Sequence, residues 1–191
     1  MTTQEKIIAE ALRLFAETGY PSVSMQDIAA SVGIKKASLY FHFSGKQAIY
    51  GGVLQKVLTE FEEIIENLTD ESLKAGGLYP SLLRFFEGFI DYILEKTVLQ
   101  FWTRMYIFPP KHLSQSEMEK CKKADSLLYS SLKKILTRFH KPDCDIETMA
   151  LIRLAGGYIS IGTDPLMTPW KIELAEELRI FIAGISALKE K

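Results

Sequence analysis

Gln26-Asp27-Ile28-Ala29-Ala30-Ser31-Val32-Gly33-Ile34-Lys35-Lys36-Ala37-Ser38-Leu39-Tyr40-Phe41-His42-Phe43 is the stretch that decides how this chain folds. Ser24, just before it, and Asp27, within it, have the spacing of a capping box, in which the serine hydroxyl accepts an orphan amide and the aspartate reaches back. A short helix is predicted from Met25 to Val32, ended by Gly33. A second should run from about Lys35 to Phe43, ended by Ser44-Gly45. Two helices crossing steeply through so short a turn need a small residue at the crossing and a residue tolerant of positive φ in the turn. Ala29 and Gly33 supply them. Ile28, Val32, Ile34, Leu39 and Phe43 are spaced to fill a small core against the preceding helix.

The second helix divides by angle. Leu39 and Phe43, four apart, share the inward face. Ala37 and Phe41 lie opposite, with Ser38/His42 and Lys36/Tyr40 on the flanks. Lys35, Lys36 and Lys46 bring positive charge, and no acidic residue occurs between residues 28 and 59. The net charge of the whole chain is only −1, so the basic footprint is local. A helix with this polar, aromatic and basic face suits the major groove of DNA. Tyr40 and His42 can bond phosphates, Lys36 or Ser38 can reach base edges, and Ala37 permits close approach or contact with a thymine methyl.

Across its first 60 or so residues the chain resembles the DNA-binding domain of the tetracycline-repressor (TetR/AcrR) family. The family pattern is a glycine after the first helix, then xDIA, G-[IV]-x-x-x-[ST]-[LIF]-Y-x-[HY]-F and a lysine three residues on. The corresponding residues are Gly19, Asp27-Ile28-Ala29, Gly33-Ile34, Ser38-Leu39-Tyr40, His42-Phe43 and Lys46. The resemblance implies phosphate contacts from Ser24, Tyr40 and Lys46. It further implies base-edge or groove contacts from Gln26, Lys36, Ala37 and Ser38, with His42 at the groove edge. Ser44 departs from the pattern where many members carry a further lysine.

Elsewhere helical periodicity dominates and an all-α fold is predicted. Ile7/Ile8, Ala11/Leu12 and Leu14/Phe15 mark a first helix that Gly19 can cap. A long apolar stripe begins at Lys46 and covers about 20 residues, or about 30 Å of helix. Further helices are expected at roughly 80–96, 98–107, 115–139, 145–162 and 169–188. No segment shows sustained period-two alternation.

The composition, 47% hydrophobic and 25% charged, is that of an ordinary globular protein. The two cysteines, Cys121 and Cys144, lack the spacing of a metal knuckle or redox pair. Gly157-Tyr158-Ile159-Ser160-Ile161-Gly162 is close to a nucleophile elbow but has one residue too many and no strand before it. The histidines have no second ligand four residues on. No catalytic residue, metal site or cofactor is therefore expected, and the chain reads as non-enzymatic. With no signal peptide and no long apolar span, it is expected in the cytoplasm and away from membranes.

The expected domains are residues 1–61, a helix-turn-helix DNA-binding domain with the start of a long connecting helix, and residues 62–191, a helical ligand-binding and dimerisation domain. For this second part the resemblance is one of layout alone. It implies a homodimer built on the last two long helices, whose stripes include Met149, Ile152, Leu174, Leu178 and Ile185. Aromatic residues are dense between 85 and 108. Phe86, Phe89, Asp91, Trp102, Met105 and Tyr106 are the candidates for a pocket taking a small hydrophobic ligand. Asp91 or Glu87 facing inward would favour a lipophilic cation, and Arg104 facing inward an anionic or acyl ligand. The resulting expectation is a repressor released from a palindromic operator by that ligand. The alternative is a helical small-molecule-binding or protein-contact dimer whose DNA head is vestigial.

Overall fold

A computed structural model describes residues 1–107, 113–140, 143–161 and 170–187, and every regular element among them is helical. In order these are α1 (Thr3–Thr18), α2 (Met25–Val32), α3 (Lys36–His42), α4 (Lys46–Leu73), α5 (Leu78–Ile93), α6 (Lys96–Ile107), α7 (Gln115–Phe139), α8 (Asp145–Ile161) and α9 (Trp170–Ala187), with a 3₁₀ turn at Tyr20–Ser22. Helix α4, at 28 residues, is longer than its apolar stripe. It continues through the polar turn Glu66–Asp70 because nothing there opposes a helix, and it stops before Gly76. Pro80, at the predicted start of the next helix, lies within the first turn of α5. A first helical turn has no intrahelical acceptor for that residue's amide in any case.

The chain forms two compact units. The first comprises Met1–Glu60 with Glu95–Cys121. Helix α6 thus belongs with the N-terminal helices, and a boundary drawn at residue 61 omits it. Ile7, Ala11, Phe15, Ile28, Ala29, Leu39, Ile49 and Val53 form this unit's interior. Gly52 lets α4 approach α1 closely, since a methyl group there would overlap Ile8. Tyr50 is buried beside Phe15, Tyr20 and Phe101, with ring centroids 5.4, 5.1 and 6.1 Å away. Burial pushes the pKa of its phenol upward.

The second unit comprises Phe61–Leu94 and Lys122–Lys191. Its core is centred on α5, which packs against α8 and α9. Phe85, Phe86 and Phe89 are fully buried there, with Leu132, Ile135, Leu151, Leu174 and Leu178. Phe85 and Phe89 stack with their ring planes 11° apart and centroids 6.3 Å apart. No helix among the described residues is long and apolar enough to cross a membrane.

Candidate nucleic-acid interface

The reading head begins at Ser24, whose hydroxyl accepts from the Asp27 amide at 3.2 Å while its own amide donates to the Asp27 carboxylate at 2.8 Å. The capping box is complete, and the Ser24 hydroxyl, then the Ser24 amide, hold Asp27 below the usual carboxylate range. At the other end of α2, Gly33 takes a left-handed conformation (φ 77°, ψ 30°). Its amide donates to the Ala30 carbonyl at 3.1 Å, and the Ile34 amide donates to Ala29 at 2.9 Å. A β-carbon would be strained at that φ, so the chain can leave α2 and re-enter α3 after so few residues only through glycine.

Across from this turn, α2 is tied to α1 by side chains. The Ser31 hydroxyl donates to the Glu10 carboxylate, and Arg13 donates to Ser31 at 3.2 Å and to Glu10 at 3.0 Å. Chiefly the Ser31 hydroxyl, with Arg13 behind it, lowers the pKa of Glu10. The C-terminus of α1 has no basic residue of its own. Arg104 of α6 supplies the cation instead, donating from Nε to the Ala16 carbonyl and from Nη2 to the Glu17 carbonyl, both at 2.7 Å. Arg104 therefore braces the head, a role distinct from the anion-pocket one its sequence neighbours suggested.

Helix α3 buries a single side chain, Leu39. Lys35, Lys36, Ala37, Ser38 and Tyr40 are exposed and His42 is half-buried. Ser24 and Gln26 are exposed at the start of α2. Phe41, whose side the sequence left open, is 88% exposed with its ring edge-on to His42. Phe43 is half-buried at the end of α3. Of the nine residues expected at DNA, Lys46 is placed differently from the rest. Its ammonium donates to the Tyr20 and Val23 carbonyls at 2.8 and 2.7 Å and sits 4.2 Å from the Tyr20 ring centroid. Partial burial lowers its pKa. The lysine pins the turn after α1 to the start of α4.

The residues expected to form a ligand pocket are not brought into one unit. Phe86 and Phe89 are core side chains of the second unit, where Asp91 is exposed. Trp102 and Met105 are buried in the first. The side chain of Tyr106 lies outside the described residues. Among the described residues, no group of three or more His, Cys, Asp or Glu side chains is placed to hold a metal ion.

Residues 7–53 match the family model described as bacterial regulatory proteins, tetR family. The chain is 38% identical over 82 residues to the biofilm operon icaADBC HTH-type negative transcriptional regulator IcaR of Staphylococcus epidermidis, a stretch covering 43% of this chain and 44% of that protein. It is 38% identical over 104 residues to IcaR of Staphylococcus aureus strain Newman, covering 54% of this chain and 52% of the relative. The matched stretch thus spans about half the length of these curated relatives. The fold is similar to that of PfmR from Thermus thermophilus, a TetR family transcriptional regulator, with a TM-score of 0.70 and 23% identity over 92% of this chain and 96% of that one. Through residues 7–53, whose helix-turn-helix Gly33 and Leu39 organise, the chain is similar to the tetR family of bacterial regulatory proteins.

Proposed function

We propose that this protein is a sequence-specific DNA-binding transcriptional repressor, not an enzyme, working in the cytoplasm as a homodimer on a palindromic operator. The observation that carries the reading is the outward face of α3, which leaves Lys36, Ala37, Ser38, Tyr40 and Phe41 exposed and commits only Leu39 to the core. Each subunit inserts α3 into the major groove. Ser24, Lys35, Tyr40 and His42 bind phosphates, while Gln26, Lys36, Ala37 and Ser38 read base edges. Lys46 acts by position, since two of its three donors serve backbone carbonyls. Repression itself is supported by the relatives, both described as negative transcriptional regulators.

Dimerisation is supported by apolar side chains that one chain leaves uncovered on its last two helices. Leu151, Leu174, Leu178 and Ile185 turn into the core, but Ile146, Met149 and Ile180 are exposed, Ile146 at 84% and Ile180 at 65%. Such a surface is what a two-fold helical interface would cover. Release by a small hydrophobic ligand completes the proposal. Differential affinity of that ligand for two spacings of the reading heads would shift the DNA equilibrium.

The test is fluorescence-anisotropy binding to DNA flanking the protein's own gene, at two salt concentrations, with random DNA as competitor. Binding should survive the competitor, with log K falling by about 0.9 per phosphate neutralised for each unit of log salt. Replacing Lys36 and Ser38 together with alanine should reduce operator preference at least about tenfold while leaving the dimer intact. Equal, weak binding to both DNAs would overturn the reading.

A further inference from the structure

Helix α4 carries three acids at helical spacing within the second unit: Glu62, Glu66 and Asp70. Helix α7 answers the outer two, with Lys123 3.7 Å from Glu62 and Lys134 3.6 Å from Asp70. The middle acid meets a different surface. Around Glu66 lies a cavity of about 380 Å³, which Asp70 also lines and to which α7 contributes Leu127, Ser130, Ser131 and Lys134. Among the described residues no cationic side chain pairs with Glu66.

The hydroxyl groups on this wall present mostly lone pairs. Thr69 has committed its proton to the Ile65 carbonyl at 2.6 Å, and Ser130 has committed its own to Leu127 at 2.9 Å. Ser131 is 5% exposed and lines the cavity, and its hydroxyl has no hydrogen-bond partner among the described residues. The Ser131 oxygen opens onto the cavity and is available to accept a hydrogen bond. The wall is therefore rich in acceptors, carries one unbalanced carboxylate and has its ammonium, Lys134, engaged by Asp70. A complementary molecule must bring N–H donors and positive charge.

The geometry points to a binding site for a small aliphatic ammonium compound, a diamine or polyamine, in the cavity between α4 and α7. Glu66 supplies the counter-charge, Thr69, Ser130 and Ser131 accept from the ammonium, and Leu127 covers the methylene carbons. The volume lies at the small end of known ligand pockets. This goes beyond the proposed DNA-binding role and does not depend on it.

The test is an amide chemical-shift titration of the ¹⁵N-labelled full chain, without DNA, using putrescine and, as its neutral isostere, 1,4-butanediol. Putrescine should give saturable shifts centred on Glu66, Thr69, Ser130 and Ser131 in the millimolar range, and the diol should give none. Glu66→Gln, at an exposed position, should weaken putrescine about fivefold. Ser131→Ala should also weaken it, with the amide spectrum otherwise preserved. Absent shifts, an equal response to the diol, an unchanged affinity in Glu66→Gln, or a non-saturating drift over all acidic residues would overturn the proposal. Because no DNA is present, each of these outcomes leaves the repressor reading where it stands.

Discussion

Helices α3 and α5 are both rich in aromatic residues, and they use them in opposite ways. Helix α3 has seven residues and buries one, whereas α5 has sixteen and buries seven. Phe41 is 88% exposed and Phe85 fully buried. In α3 the inward stripe is satisfied by Leu39, with Phe43 just beyond, so further apolar side chains on that helix have no core left to enter. In α5 three phenylalanines fall on one broad stripe that α8 and α9 cover. An aromatic residue thus signals an external partner only when the opposite face of its helix already closes the core.

The largest effect expected from breaking this contrast is on stability. Phe85→Ala should cost about 3–5 kcal/mol in urea unfolding, because a buried ring leaves a cavity that packed neighbours cannot refill. Phe41→Ala should stay within about 0.5 kcal/mol of wild type and weaken operator binding instead. A large stability loss at Phe41 would mean that α3 has no free face.

The same contrast can be sharpened between two lysines of the head. Lys46→Ala removes a charged donor from two carbonyls and should destabilise the protein by about 1.5–3 kcal/mol, read from the denaturation midpoint. Lys36→Ala should leave that midpoint unchanged and lower DNA affinity. If both variants behave alike, Lys46 is not the pin that its geometry indicates.

The smallest effect is expected at Asp27. Its pKa is lowered on folding, so its stabilising contribution is full above the ordinary carboxylate value of about 4 and is lost as pH falls through the lower folded value. Asp27→Asn cannot titrate, so the gap in melting temperature between wild type and variant should narrow from pH 6 to pH 3. A constant gap would show that the capping box does not contribute through ionisation.

Much of the reading head was legible from residues alone. Ser24, Asp27, Gly19 and Gly33 act on backbone groups within a few positions of themselves, so their roles follow from spacing. Helix boundaries at Met25, Val32, Gln115 and Phe139 were reachable for the same reason. The pocket candidates fared otherwise. Phe86, Phe89, Trp102 and Met105 cluster in sequence, yet they serve the cores of different units. A helical stripe reveals that a face is buried but not what buries it.

Helix ends, turn chemistry and the division of α3 into an inner and an outer face were settled by the chain's local order, because capping, positive φ and 3.6-residue periodicity act over a single turn. Tertiary structure alone decided that Arg104 would cap a helix ending 86 residues earlier, at Thr18, that Lys46 would turn its ammonium to Tyr20 and Val23, and that Glu66 would face a cavity with no lysine paired to it among the described residues. Those outcomes depend on which helices meet and at what level. Sequence spacing carries no record of that until the core has closed.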